Sequence, residues 1–370
     1  MADLFDYIKW RGDLDFTQSP FNTVDFLIFS QISYLPLDGI VPHPSEKNGI
    51  SIDLALNTLK EKLQNGNKRP ILIFRDDTDF INALVSSNRF RNCQLLGYVN
   101  QIDTELECQF SALCIHTGRS CVAVYRGTDY SFVAWKEDLN MGFMEIIPSQ
   151  TEAVKYLEKM AALVKCPLYI AGHSKGGNLA IYAASFCSKK IQRRIRDIYS
   201  YDAPGFYERV IYSKGFSSIR EKIHSFIPQS SVVGMLLERG SNYTVVKSSQ
   251  TGLMQHSLFS WEVTHNDLVN LEKITPGSRF VDKTLREWLS GLDNERREQF
   301  IEAMYTILSA SEAKSLNELE ISWVTSVGKI IKSIGNIDDS TRKLIGKTFI
   351  ELLRCAGRNI DTLFKPKDDE

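Results

Sequence analysis

The chain lacks any apolar run that approaches the roughly 18 residues of a transmembrane helix. It also lacks an excess of either charge, since 44 Lys and Arg against 45 Asp and Glu leave a formal net charge of −1. Without a basic patch interleaved with aromatic residues, binding to nucleic acid is disfavoured. The first residues, Met1 to Asp6, carry acids where a signal peptide needs basic side chains. We therefore predict a cytoplasmic protein with no transmembrane segment.

Paired cysteines are absent as well. The seven cysteines are an odd number, lie scattered along the chain and form no C-x-x-C pair. They are most simply buried, reduced thiols. No group of His, Cys, Asp and Glu has the spacing of metal ligands. We therefore expect no metal and no other cofactor.

The chain is long enough, at 370 residues, for one large α/β domain and a smaller one. The first 110 residues mostly show the pattern of helices and connectors. Apolar residues fall on one helical face at Val24, Leu27, Ile28, Ile32 and Leu35. A second helix is predicted to begin at Ser51 and to end at Gly66.

After residue 110, short apolar runs alternate with helical patterns. Strands are predicted at residues 111–116, 121–125, 167–171, 198–201, 223–227 and 243–247. Ser149 and Glu152 form a capping box, which predicts the start of a helix between two of these strands. Because strands alternate with helices, we predict an α/β fold with a mostly parallel central sheet flanked by helices.

The strand patterns end at residues 275–278. Three amphipathic helices are predicted beyond them, around Phe300 to Leu308, Val324 to Ile334 and Ile345 to Leu353, followed by a solvated tail, Lys365 to Glu370. We therefore divide the chain into two parts. Residues 1–275 form the main domain, with a helical N-terminal part (1–110) and a core (111–275), and residues 276–370 form a C-terminal helical region.

The pentapeptide Gly172-His173-Ser174-Lys175-Gly176 follows a predicted strand and precedes a helical run of small residues. Strand, G-x-S-x-G and helix is the context of a nucleophile elbow, in which a strained turn lifts the serine hydroxyl above the sheet. The two glycines are needed because a Cβ at either position would collide with a neighbouring strand or helix. The motif indicates acyl transfer through Ser174. A tight turn with a capping serine is the alternative.

In an elbow fold the serine is followed along the chain by an acid and then a histidine. Three histidines follow Ser174. His224 lies inside a predicted strand and is interpreted as structural, whereas His256 lies in a loop just after the last predicted strand. His256 is therefore the expected general base, and His265 is a weaker candidate.

The acid is less sharply defined. Asp202 stands at the carboxyl end of a predicted strand, where such folds place their chemistry. An Asx turn before Pro204 explains the same residue equally well. The run Val122 to Asp129 is a strand that enters a glycine-containing turn. The backbone N–H groups of Thr128 and Lys175 could therefore converge on a developing oxyanion.

These segments resemble the lipase class 3 (fungal-lipase-like) α/β-hydrolases. The motifs are Val124 to Asp129, Trp135 to Leu139, Gly172 to Ala180 and Gln255 to Ser257, and the similarity covers roughly residues 110 to 265. More narrowly, the chain resembles a bacterial branch of this superfamily with no assigned physiological role, and the opening Tyr7 to Asp13 is similar to that of the branch. The resemblance implies that residues 1–275 are a lipase-like α/β-hydrolase domain. It also implies that Ser174 is the nucleophile, His256 the base, and Thr128 with Lys175 the oxyanion donors.

The sequence departs from that family at two places. Where the family acid is expected, the chain has Ser230 and Ser231, so either a serine hydroxyl orients His256 or the acid is Asp202. Lys175 occupies a position that is commonly apolar. Its side chain is expected either to meet an anionic group of the substrate or to be solvated.

The function predicted from these residues is hydrolysis of a carboxylic ester, small-molecule or lipid, by a serine esterase or lipase. Two segments, 130–147 and 206–216, carry apolar residues that could shape an acyl pocket or a lid. The alternative is a lipase-fold scaffold or binding protein with weak or no turnover, which would bind a protein or lipid partner through its C-terminal helices.

Overall fold

The computed structural model describes residues 2–65, 72, 74, 76–129, 131–142, 144–293, 295, 296, 299 and 339–363. Its centre is a nine-stranded sheet with the order β1-β2-β3-β4-β5-β6-β7-β8-β11. The strands of this sheet are β1 (Ile50–Ser51), β2 (Gln94–Asp103), β3 (Cys108–His116), β4 (Cys121–Tyr125), β5 (Leu168–His173), β6 (Ile195–Tyr201), β7 (Ile223–Pro228), β8 (Tyr243–Val246) and β11 (Asn270–Leu271). A separate two-stranded ribbon joins β9 (Val263–Thr264) to β10 (Asp267–Leu268).

The five strands from β4 to β8 are parallel to one another. The flanking pairs β1–β2, β2–β3, β3–β4 and β8–β11 are antiparallel. Because parallel strands end at the same edge of a sheet, the residues that follow β4, β5, β6 and β7 meet there. The predicted α/β class is thus seen, with a mixed sheet whose middle is parallel.

Helices cover both faces of the sheet. They are α1 (Leu4–Arg11), α2 (Thr23–Ile32), α3 (Ile52–Asn65), α4 (Asp77–Ser86), α5 (Asn88–Arg91), α6 (Phe132–Asn140), α7 (Pro148–Leu163), α8 (Lys175–Phe186), α9 (Lys189–Gln192), α10 (Glu208–Ile211), α11 (Lys214–Ser217), α12 (Pro276–Ser290) and α13 (Asp339–Asn359). Short 3-10 turns lie at Arg220–Lys222, Val233–Met235, Gly252–His256, Leu258–Ser260 and Ile360–Leu363.

Strand β4 shows how the sheet divides the core into two layers. Successive side chains of a strand point to opposite faces. Val122 and Val124 accordingly join a core with α1 to α4, whereas Ala123 and Tyr125 join a second core with α7 and α8. Every residue of β4 is therefore buried, which explains its continuous apolar sequence.

A fully buried ion pair holds the N-terminal helices together. The Arg89 guanidinium in α5 donates to both carboxylate oxygens of Asp25 in α2, at 2.7 and 2.6 Å. Asp25 also accepts from the Tyr7 hydroxyl of α1 at 2.9 Å. The remaining guanidinium donors reach the carbonyl oxygens of Leu14, Ser19 and Pro20. Arg89 and Asp25 together thus link three helices and the 12–21 loop.

The strand predictions from residue 111 onward agree with the structure to within a few residues. The ten-residue strand β2 lies in the first 110 residues, a part that the sequence pattern described as mostly helices and connectors. Helix α7 begins at Pro148 rather than at a cap on Ser149. Instead of capping the helix, Ser149 donates its backbone N–H to the Glu137 carboxylate at 2.9 Å.

The C-terminal region is described by α12 and α13. The Trp288 indole of α12 donates to the carbonyl oxygen of Thr348 in α13 at 3.1 Å, and Asn359 donates to Glu287 at 2.9 Å. The helices predicted around residues 300–308 and 324–334, and the tail, lie outside the described residues. In the part of the chain that is described, no helix combines the length and hydropathy of a membrane span.

Candidate active site

Ser174 occupies the turn between β5 and α8, with φ of +58° and ψ of −134°. This is a backbone conformation that L-residues rarely adopt, and its cost must be met by the surrounding contacts. The Ser174 N–H donates to the carbonyl oxygen of Tyr201 at 2.9 Å. A Cβ at Gly172 would collide with the Gly176 carbonyl, and one at Gly176 would collide with the Tyr125 carbonyl. The two glycines therefore permit the sharp turn, as the motif predicted.

Asp202 follows β6 at the same edge of the sheet and is 1% exposed. Its backbone has φ of +44°, in the left-handed region that aspartate tolerates better than most residues. Its carboxylate oxygen Oδ2 lies 2.6 Å from Nδ1 of His256. The carboxylate is thus engaged with the imidazole and not with an Asx turn before Pro204.

The other oxygen of Asp202, Oδ1, accepts two hydrogen bonds. The Ser231 hydroxyl donates to it at 2.5 Å, and the Gly234 N–H donates at 3.1 Å. Ser230 is turned elsewhere, since its hydroxyl lies 2.8 Å from that of Thr275. Of the two alternatives for the contact with His256, the structure thus has Asp202, and not Ser230 or Ser231, beside Nδ1 of the imidazole. Ser231 contacts the Asp202 carboxylate instead.

His256 ends the 3-10 turn Gly252–His256 and lies against His173, the residue that precedes Ser174. The two imidazole centroids are 4.4 Å apart. Nε2 of His173 is 2.8 Å from the carbonyl oxygen of His256, and Nδ1 is 2.8 Å from the Tyr34 hydroxyl. Because a carbonyl can only accept, Nε2 carries the proton and Nδ1 accepts from Tyr34. The loop of His256 is thus tied to the serine turn.

The environment of His173 keeps its ring neutral. Burial lowers the pKa of His173 well below its ordinary value of 6.5, and the neighbouring His256 lowers it further. A charged ring here would lose its hydration without gaining an anionic partner. The neutral ring can both donate to His256 and accept from Tyr34.

The two other histidines after Ser174 lie elsewhere. Nε2 of His224 is 2.9 Å from a carboxylate oxygen of Asp197, and the ring stacks on Tyr199. His265 is exposed and lies beside the Trp10 ring. His256 is therefore the histidine that the structure brings to the acid and to the serine turn.

The turn after β4 packs directly on the serine turn. A Cβ at Gly127 would lie 2.9 Å from Cβ of Ser174 and 2.7 Å from the carbonyl oxygen of His173. The hydroxyl of the next residue, Thr128, donates to the carboxylate of Asp138 in α6. Burial raises the pKa of Asp138 to about 6, while the Lys175 ammonium and the Thr128 hydrogen bond act in the opposite direction. Thr128 is thus held beside Ser174 from two sides.

The Lys175 side chain is buried and fully bonded. Nζ donates to a Glu137 carboxylate oxygen at 2.7 Å, to the Gln109 side-chain oxygen at 2.9 Å and to the Gln109 carbonyl at 3.1 Å. Both expectations for this side chain, contact with an anionic substrate group or solvation, are therefore wrong. The lysine side chain instead forms a buried ion pair that ties α8 to α6. Lys175 is the first residue of α8, so its backbone N–H lies at the start of the helix.

The two predicted pocket segments differ in what they contribute. In the stretch 206–216 most of the apolar side chains belong to the core; these are Phe206, Val210, Ile211 and Phe216. Tyr212 is 76% exposed. In the stretch 130–147, Tyr130 and Phe143 lie outside the described residues, as do the side chains of Phe132 and Trp135.

Two sets of contacts escaped the sequence analysis. The donors to Oδ1 of Asp202 come from a loop about 30 residues away, and the partners of Lys175 come from β3 and α6. Neither set of contacts follows from local sequence spacing, because the packing of the sheet brings the partners together from distant parts of the chain. One signal was present, because Ser230 and Ser231 were already singled out in the sequence. Among the described residues, no group of His, Cys, Asp and Glu is arranged to hold a metal ion.

Fold and site together define an α/β protein that gathers a serine, a histidine and a buried carboxylate at the carboxyl edge of its parallel strands. The family model described as Mbeg1-like matches residues 84–306, more than half of the chain. The chain therefore belongs to the Mbeg1-like family. A comparison with curated proteins found no match.

Several solved lipases are similar in structure at low sequence identity. One is a fungal lipase in an inhibitor complex, 12% identical over 54% of this chain and 78% of that chain, with a TM-score of 0.34. A lipase from Rhizopus microsporus var. chinensis is 12% identical over 60% of this chain and 77% of its own, with a TM-score of 0.32. A lipase from Yarrowia lipolytica is 10% identical over 59% and 82%, with a TM-score of 0.31.

Proposed function

We propose that this protein is a serine hydrolase with an α/β-hydrolase fold, which cleaves carboxylic esters through an acyl-enzyme on Ser174. The observation that carries the proposal is the 2.6 Å contact between Nδ1 of His256 and the buried carboxylate of Asp202. The chain order Ser174, Asp202, His256 is the order that this fold uses. The strained turn of Ser174, packed beside the loop of His256, supports the same reading.

In the proposed reaction, Asp202 holds Nδ1–H of His256 and leaves Nε2 free to act as the base. The Ser174 hydroxyl attacks the ester carbonyl carbon as His256 takes its proton. The tetrahedral intermediate expels the alcohol, which receives that proton from His256. Water then attacks the acyl-enzyme with His256 again as the base, releasing the acid and restoring Ser174.

The oxyanion of the intermediate needs hydrogen-bond donors beside Ser174. We assign this role to the backbone N–H groups of Thr128 and Lys175, which flank the serine turn. The close packing of Gly127 on Ser174 supports the assignment of Thr128, and the start of α8 supports that of Lys175. Loss of one such donor typically lowers the rate by roughly a hundred- to a thousandfold.

We assign the substrate to the carboxylic esters, small-molecule or lipid. The alternative is a lipase-fold scaffold with weak or no turnover, which the serines at the position expected for the acid would favour. The buried Asp202 carboxylate, 2.6 Å from Nδ1 of His256, supports the hydrolase instead.

The proposal is tested by a fluorophosphonate probe, which reacts with an activated serine. We expect the wild-type protein to be labelled at Ser174 and to hydrolyse short p-nitrophenyl esters, and Ser174→Ala to do neither. Ser188→Ala, at the exposed serine just beyond α8, is the control and should retain both. A folded wild-type protein that is not labelled, or is labelled elsewhere by peptide mapping, would contradict the proposal.

The role of the acid is tested by Asp202→Asn. An amide at this position cannot hold the imidazole in the tautomer that catalysis needs, so we expect kcat/KM to fall by about 10⁴-fold. Asp197→Asn is a matched control, because Asp197 lies in β6, the strand that Asp202 follows, and it also pairs with a histidine, His224. Equal ester hydrolysis by the two variants would remove Asp202 from the mechanism.

A further inference from the structure

The carboxylate of Asp202 is buried, so its oxygens depend on protein donors. Oδ2 faces His256, and the described donors to Oδ1 are the Ser231 hydroxyl at 2.5 Å and the Gly234 N–H at 3.1 Å. Ser231 is 2% exposed. A hydrogen bond to a buried carboxylate both stabilises the charge and restricts rotation of the carboxyl group.

The loop that carries these donors is shaped to reach the acid. The Gly234 N–H also donates to the Ser231 hydroxyl oxygen at 2.9 Å. A Cβ at Gly234 would collide with Oδ1 of Asp202 and would lie 2.7 Å from the Ser231 hydroxyl oxygen, so a larger residue would disturb both groups. The local backbone thus fixes the serine hydroxyl between two neighbours, a donor and an acceptor.

The same loop is fastened to the C-terminal helical region. The Ser278 hydroxyl in the first turn of α12 donates to the Ser231 carbonyl oxygen at 2.6 Å, and Ser278 is itself buried. Thr275, just before α12, donates its N–H to the Gln229 carbonyl at 2.7 Å. A continuous set of short contacts therefore runs from α12 through Ser231 and Asp202 to His256.

We propose that Ser231 is a positioning residue, which acts through Asp202 to hold His256 in its working orientation, and that α12 holds Ser231 in place. This inference rests on the proposed function. It assigns to Ser231, in the loop after β7, the role of fixing the carboxylate of Asp202, which follows β6. The start of the C-terminal helical region then becomes part of the support of the active site.

The test compares Ser231→Ala, Ser231→Thr and Ser230→Ala. The adjacent serine is the matched control, because its hydroxyl pairs with Thr275 and not with Asp202. We expect Ser231→Ala to lower kcat by about ten- to a hundredfold with KM within about twofold, since a lost bond to a charged group acts on the reacting geometry and not on substrate contacts. Ser231→Thr, which keeps a hydroxyl, should recover most of kcat, and Ser230→Ala should match the wild type.

A second measurement separates this inference from the proposed function. The proton on Nδ1 of His256, held by Asp202, should give a low-field NMR resonance that shifts in Ser231→Ala and not in Ser230→Ala. If the wild-type protein hydrolyses esters but the two alanine variants have equal kcat and equal resonances, the inference is wrong and the proposed function stands. If no ester is hydrolysed, the resonance alone decides, and an unshifted signal in Ser231→Ala overturns the inference.

Thermal melts of each variant distinguish unfolding of the protein from misplacement of Asp202 and His256 in a folded protein. Should Ser231→Ala fail to fold, Ser231→Cys takes its place, because a thiol is a weaker donor of similar size. A folded Ser231→Cys protein with wild-type kcat and an unshifted resonance would overturn the inference, and a reduced kcat with unchanged KM would support it.

Discussion

His173 is a buried imidazole with both ring nitrogens bound to neutral partners, Tyr34 and the carbonyl of His256. Its contacts join three segments that are far apart in sequence: the loop after α2, the serine turn and the histidine loop. A proton on Nδ1 would remove the acceptor for the Tyr34 hydroxyl. The contacts of His173 therefore require a neutral ring, and protonation at low pH would break the hydrogen bond from Tyr34.

The pH dependence of stability follows from this burial. His173 in the folded protein has a pKa well below 6.5, so below about pH 6.5 the unfolded chain binds a proton that the folded protein does not. The free energy of unfolding should therefore fall as the pH drops below 6.5. We expect His173→Gln to flatten this slope by up to about 1.4 kcal/mol per pH unit.

The measurement is urea unfolding of wild type and His173→Gln at a series of pH values from 7 downward. His43→Gln, at an exposed histidine, controls for the substitution itself. Parallel curves for the wild type and His173→Gln would show that His173 does not take up a proton on unfolding in this range.

Local motifs were enough to predict Ser174 and His256 as site residues, because each lies in a short sequence pattern next to the end of a strand. For Asp202 the sequence could not separate a catalytic role from an Asx turn, since its partner depends on how the loops after β6, β7 and β8 pack. Lys175 was misread for a related reason. Burial of a lysine beside Glu137 depends on a partner 38 residues away, which no local spacing reveals.

Among the elements, α6 is the one that the site depends on most visibly. Asp138 of α6 accepts from Thr128, and Glu137 of the same helix pairs with Lys175 of α8. Both members of the pair are 1% exposed or less. The ion pair therefore fixes α6, and α6 in turn holds the turn after β4 against the serine turn through Asp138.

Breaking this pair should cost far more than breaking an exposed one. Lys175→Met leaves the Glu137 carboxylate buried without its cation, so we expect a loss of about 3–5 kcal/mol in the free energy of unfolding. The double variant Lys175→Met, Glu137→Leu should recover part of this loss, because no isolated charge remains buried. Lys155→Met, which removes the exposed pair with Glu152, should change stability by less than about 1 kcal/mol.

Urea unfolding of the four proteins measures these differences. A loss of stability in Lys175→Met no larger than that in Lys155→Met would contradict the structural role given to the buried pair.

At the level of elements, the sequence pattern succeeded where a strand is a short apolar run bounded by turns. It predicted the parallel strands from β4 to β8 with small errors at their ends. It missed β2, since this strand is buried in its first half and exposed in its second, so neither a continuous apolar run nor strict alternation marks it. The start of α7 was misplaced by two residues, because the helix begins with Pro148 at its first position and Ser149 lies inside its first turn.

Across the whole molecule, the N-terminal helices and the sheet share one core. Leu4 and Leu27 from the helices belong to the same buried cluster as Val124, Ala171 and Tyr201 from the strands. The Tyr201 hydroxyl also donates to the carbonyl oxygen of Thr23 at the start of α2, at 2.6 Å. We therefore expect the helical N-terminal part to unfold together with the strands that carry the site.

Arg89→Met tests this cooperation. It leaves the Asp25 carboxylate buried without its cation and removes the donors to the 12–21 loop, so we expect a loss of about 3–5 kcal/mol. Native-state hydrogen exchange should show equal losses of protection in α2 and in β5. Arg91→Met, in the same helix but at a half-exposed pair with Asp53, should have little effect. Loss of protection confined to the N-terminal helices would show that the two parts unfold independently.

The seven cysteines offer a way to watch the molecule open. All but Cys166 are buried, and burial raises the pKa of Cys93, Cys108 and Cys187 to about 12. Since the thiolate is the reactive species, these thiols should resist alkylation at neutral pH until their region unfolds. A maleimide pulse read by mass spectrometry would then mark Cys166 first and each buried thiol once its region unfolds. The native cysteines would thus report the order in which the regions of the molecule open.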